Sequence, residues 1–148
     1  MSVFIVSLLA SYLFGLIQFQ NILVLFGVKA NLLLALGIAY GILEENWLRR
    51  ILLTFSITGI ISFYIIPDGT LFIFAAGILL GFALIDYLPW AKEINGTVAI
   101  ILITLALNLD AVSIIRISIA SIINVGSFLA IYKLIKYIDG KLNPYRYL

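Results

Sequence analysis

A chain of 148 residues that is 64% apolar and 11% charged, with a mean hydropathy of +1.22, departs sharply from a soluble domain, where about a quarter of residues are charged. Cysteine and histidine are both absent, which excludes disulfides, Cys/His zinc sites, haem held by His or Cys, and the common Ser/His and Cys/His catalytic arrangements. The net charge of +2 is small and scattered, with no footprint for nucleic acid. The composition predicts an all-α, polytopic membrane protein: one domain with about six transmembrane helices in one bundle.

The first predicted span covers residues 3–17. No Lys or Arg precedes it, and it is long for the apolar region of a signal sequence, so it is read as a retained helix. Ser7, Ser11 and Gly15 lie four apart on one face, the spacing that permits close helix approach. Residues 22–43 are apolar except for Lys29 and Asn31. Either they form one helix with Lys29 snorkelling to the interface, or residues 22–28 form an interfacial piece ahead of a short helix. Gly37 and Gly41 make a G-x-x-x-G step.

Residues 44–50 mix both charge signs around Trp47, an interfacial marker. Glu44 and Glu45 are adjacent, point to different sides, and read as a solvated face. The third span is 51–66, with Thr54, Thr58 and Ser62 spaced to hydrogen-bond across helices. Pro67, Asp68 and Gly69 form a turn. The fourth span is 70–86 and carries a second G-x-x-x-G step, Gly77 and Gly81. Pro89 ends it, and Asp86 stands at its boundary, where a salt bridge with Arg49, Arg50 or Lys92 is expected. The fifth span, 96–109, is short, and Asp110 turns the chain into the sixth, 111–133. That last run reaches roughly 33 Å, enough to cross a bilayer core. Residues 134–148 are a basic tail.

Six spans put both termini on one side. Leaving aside the intramembrane Arg116, Arg49, Arg50, Lys92, Lys133, Lys136, Lys141 and Arg146 fall on that side and only Lys29 on the other, which favours both termini in the cytoplasm. Along the sixth span Ser113, Arg116, Ala120, Asn124 and Ser127 recur at steps of three and four and share one face, which should meet protein rather than lipid. Arg116 has two readings. It is a structural charge, paired with Asp110 or Asp68 or snorkelling to headgroups, or it is a site for an anionic ligand or a partner's carboxylate. Asn124, deep in the same face, is expected to clamp helices or to meet a ligand or subunit. No catalytic, metal or cofactor site emerges. Candidate partner surfaces are the glycine faces (Gly37, Gly41, Gly77, Gly81) and the Ser113, Ala120, Asn124 and Ser127 stripe.

Three stretches resemble the family of rod-shape-determining MreD proteins. The run from Leu16 through Gln18 and Asn21, followed by Val24 to Leu34 with its Phe-Gly-Val and Asn-Leu, resembles that family's passage into its second helix. The stretches Gly77 to Asp86 and Ser121 to Lys133, with Asn124, are similar to two later family segments. Ala30 stands where the family has proline, and span 51–66 is an additional apolar segment. The resemblance implies a six-helix, non-catalytic scaffold of the bacterial inner membrane. Its implied partners are membrane lipids, an MreC-like single-span protein and wall-synthesis proteins, with an oligomer possible and no nucleic acid. MreD is also similar in fold to the substrate-binding S-components of energy-coupling-factor transporters, so a small-molecule transport subunit is the second expectation. A small channel or holin-like oligomer is the third.

Overall fold

The computed structural model describes residues 3–20, 22, 24, 25, 27–108 and 113–142. Among them run six α-helices and one short hairpin: α1 (Val3–Phe19), β1 (Val24–Leu25), β2 (Val28–Lys29), α2 (Leu32–Leu43), α3 (Trp47–Ser62), α4 (Gly69–Tyr87), α5 (Lys92–Leu107) and α6 (Ile114–Leu142). The protein is all-α apart from that hairpin, whose antiparallel strands pair Val24 with Lys29 and Leu25 with Val28. Gly27, at φ 74°, turns it; a side chain there would be strained.

Everything packs around α2. All twelve of its residues are buried, and it touches each of the other five helices. A helix that is apolar on every side suits either lipid or a protein interior, and here protein surrounds it. Close approach is supplied by glycine. A Cβ on Gly41 would overlap the Phe82 ring of α4, and one on Gly81 would strike Ile38 of α2. Gly77 faces Ile103 of α5 in the same way, and Gly37 faces Ile78. On α1 the buried residues are Val3, Ser7, Ser11 and Gly15, the face expected from their spacing, with Gly15 against Ile60 of α3.

The helices alternate in direction. Phe4 of α1 meets Tyr40 near the end of α2, and Lys92 at the start of α5 meets Glu45. At the opposite end Phe19 stacks on Tyr64, and Asn31 meets Asn124. One end, the tail end, carries residues 44–46, 88–91 and the end of α6. The other, the hairpin end, carries β1, β2 and residues 63–68.

Several boundaries differ from expectation. Of the two readings of residues 22–43 the structure has the second, a separate piece ahead of a short helix; that piece is the hairpin, and α2 starts after Asn31, whose side chain caps it by accepting from Leu34 N–H. Helix α3 begins at Trp47, because Asn46 caps it, so Arg49 and Arg50 lie inside a helix. Helix α6 continues through the tail to Leu142, and α5 begins at Lys92. Thr54, Thr58 and Ser62 do not bond across helices. Their hydroxyls donate to carbonyls of their own helix, Arg50, Thr54 and Gly59. Glu44 is not a solvated residue either but is 6% exposed. Gly69–Tyr87 and Ile114–Lys141 are long and apolar enough to cross a membrane; the helices Val3–Phe19 and Leu32–Leu43 are apolar but shorter.

Candidate functional site

A short helix sealed inside a bundle leaves backbone groups at both ends without water to satisfy them. Side chains from other helices meet that need here, and they build a polar cluster at each end of α2.

At the tail end, Arg50 is wholly buried. Its Nε donates to the Glu44 carbonyl and its Nη2 to the Gly41 carbonyl, so it closes the C-terminus of α2. The same guanidinium meets Asp86 of α4 through both nitrogens, with Nη2 to Oδ1 at 3.1 Å. Trp47 and Phe82 rings lie 5.3 and 5.5 Å from it, adding cation–π contacts. Glu44 accepts from Asn46 N–H at 3.1 Å, from Arg49 at 3.2 Å and from the Tyr40 hydroxyl at 3.4 Å. The expected salt bridge of Asp86 therefore forms with Arg50 alone; Arg49 serves Glu44, and Lys92 pairs with Glu45 at 3.3 Å. Nearby, Asn95 is buried and its Nδ2 donates to the carbonyls of Ile85, Leu88 and Trp90, tying α5 to the end of α4. Beyond the apolar part of α5, the Tyr132 hydroxyl donates to Glu93 at 2.8 Å and holds that carboxyl below its usual range.

At the hairpin end, Gln18 Oε1 accepts from Leu33 N–H and Asn31 Oδ1 from Leu34 N–H, satisfying two donors of the first turn of α2. Asn124 of α6 accepts from Asn31 N–H at 2.8 Å and donates to the Thr104 hydroxyl of α5 at 3.0 Å. Asn124 thus clamps three elements, and its amide is spent inside the molecule. Beside it opens a cavity of about 400 Å³ whose wall includes Lys29, Asn31, Asn108, Arg116, Ala120 and Asn124. Arg116 lies in the first turn of α6, much nearer the helix end than expected, and is exposed. Among the described residues it pairs with no acid. Asp68, its expected partner, instead caps α4 by accepting from Thr70 and Leu71 N–H. Asp110 lies outside the described residues.

The surfaces expected to receive a partner are occupied within the bundle. Gly37, Gly41, Gly77 and Gly81 pack against the protein's own isoleucine and phenylalanine side chains. Ala120 and Asn124 are buried, while Ser113 and Ser127 are half-buried. Ala120 and Asn124 of the stripe face protein, and that protein is this chain, since α6 packs on α2 and α5; Arg116 of the same stripe is exposed. Sequence reasoning gave no role to Gln18, Asn31, Asn95 or Thr104. Asn31 carried a usable signal, an Asn directly before an apolar helical run; the others are single polar residues whose partners lie far along the chain.

No family model, curated protein or solved structure matches the chain.

Proposed function

We propose that the chain is a multi-pass protein of the bacterial inner membrane, with both termini at the cytoplasmic face, acting as a non-catalytic scaffold of the MreD type in cell-wall elongation. The membrane reading is supported by what the two long helices expose. Only 28% of the Gly69–Tyr87 window and 22% of the Ile114–Lys141 window are buried, and large apolar side chains such as Phe72, Leu80, Ile115 and Ile122 are exposed on them. A soluble bundle would cover such faces. The orientation is supported by the gathering of Arg49, Arg50, Lys92, Lys133, Lys136 and Lys141 at the tail end.

The observation that carries the scaffold reading is a groove between α3 and α4. It is lined by Ile51, Thr54, Phe55, Thr58, Phe72 and Ala75 among others, encloses about 140 Å³, and is almost wholly apolar. Phe55 and Phe72 stand on its rims, 69% and 76% exposed. With the glycine faces used internally, this groove is a surface able to take large side chains of a partner's single transmembrane helix. A photo-crosslinking residue placed at Phe55 or Phe72 in native membranes is expected to capture one membrane protein carrying a single span. Crosslinks to lipid alone at both positions would contradict the scaffold reading.

The second reading is a substrate-binding subunit similar to the S-components. The polar cavity at the hairpin end favours it, because a scaffold has no need of one.

A further inference from the structure

The hairpin-end cavity has a one-sided chemistry. Gln18 and Asn31 both line it, and in both the side-chain oxygen accepts a backbone N–H of α2. Of an amide's two polar atoms only the oxygen can accept, so neither NH2 group is used on these backbone donors. Neither NH2 group has a hydrogen-bond partner among the described residues. The Lys29 ammonium lies 5.3 Å from the Phe19 ring, and among the described residues neither it nor Arg116 forms an ion pair. The described lining holds no acid. Two cations and two free amide donors thus surround about 400 Å³.

A second cavity adjoins the first and shares Gln18, Asn31 and Leu107 with it. It encloses about 280 Å³, and its wall is mainly apolar, with Phe19, Ile61, Ile65 and Phe74. Asp68 also lies on this wall, with its carboxylate taken up in capping α4.

We propose that the two cavities together bind a phosphate-bearing amphiphile. The phosphate would sit among Lys29, Arg116, Gln18 and Asn31, with the start of the apolar chain in the neighbouring cavity. A phosphate brings more acceptor oxygens than a carboxylate to two cations and two amide donors, and a guanidinium binds two of them side by side. The ligand has two possible sources, a membrane phospholipid or a phosphorylated apolar solute. Placing the site in the outer leaflet rests on the topology proposed above, but the binding itself does not.

The test is thermal unfolding of the full chain in an uncharged maltoside detergent, so it stands whether or not the topology does. Added dodecyl phosphate or phosphatidylglycerol is expected to raise the midpoint by roughly 5–10 °C near saturation. Protection by phosphatidylglycerol alone identifies a phospholipid, and protection by dodecyl phosphate alone identifies a phosphomonoester solute. R116Q and K29Q should each weaken the effect about tenfold in concentration. Arg116 is exposed, so R116Q should unfold at the wild-type midpoint without additive. Equal protection by dodecanol, full protection by inorganic phosphate alone, or undiminished protection in both variants would overturn the assignment. So would the absence of protection by either amphiphile. As a second readout independent of the variants, wild-type protein washed in maltoside is expected to retain lipid phosphate, and its complete loss on mild washing would also count against the site.

Discussion

Arg50 concentrates more interactions than any other described side chain. It closes one end of α2, pairs with α4 and packs between two aromatic rings while fully buried. Removing its charge leaves the Gly41 and Glu44 carbonyls unpaired in the interior, while Asp86, itself exposed, loses its ion-pair partner. Arg50→Met is therefore expected to cost about 2–4 kcal/mol in unfolding experiments in detergent. Arg50→Lys should recover little, because an ammonium cannot reproduce the fork that reaches two carbonyls and a carboxylate. Asn124 plays the matching part at the other end. Asn124→Leu leaves Asn31 N–H and the Thr104 hydroxyl without their partner and should cost about 1–3 kcal/mol, while Ser127→Leu, one turn further on and half-buried, should cost under about 1 kcal/mol. The same unfolding measurement checks both. Similar costs at the two positions would mean that the amide clamp contributes nothing.

Among the elements, α2 explains most of what was and was not legible in the sequence. Six helical segments are readable from hydropathy, turns and prolines because each is bounded by polar or helix-breaking residues. The small-residue face of α1 is readable because its spacing matches the helix period. The centrality of α2 is not, since an unbroken apolar run looks alike whether lipid or protein surrounds it. The start of α2 is only partly legible: Lys29 and Asn31 interrupt the apolar run and allow a short helix after them, but nothing in the run shows that the stretch before it folds into a hairpin. The G-x-x-x-G steps were visible, but spacing alone does not say whether the helix they admit belongs to the same chain. The structure makes a sharp contrast between glycines. Gly41→Ala drives a methyl into Phe82 and should cost about 1–3 kcal/mol. Gly126→Ala meets nothing within 4 Å on an exposed helix face and should add roughly 0.5–1 kcal/mol by helix propensity. Chemical or thermal unfolding of the two variants side by side checks this pair, and equal effects would argue against α2 lying on α4 as described.

For the molecule as a whole, the picture is of a central helix too short to span a membrane by itself, made viable because five others enclose it and polar side chains close both its ends. Two of those five helices are long and apolar enough to cross a membrane, and only 28% and 22% of their apolar windows are buried. The tail end gathers most of the cations and the hairpin end holds the cationic cavity. The central functional claim, six spans with both termini in the cytoplasm, is open to a direct measurement because the chain has no cysteine. Single cysteines introduced as Glu45→Cys, Tyr87→Cys and Lys141→Cys at the tail end, and as Ile22→Cys and Ile66→Cys at the hairpin end, all occupy exposed positions. In intact cells a membrane-impermeant maleimide is expected to label Ile22→Cys and Ile66→Cys at once, and the other three only after the membrane is opened. Labelling of all five from the same side, or recovery of the protein in the soluble fraction, would contradict it.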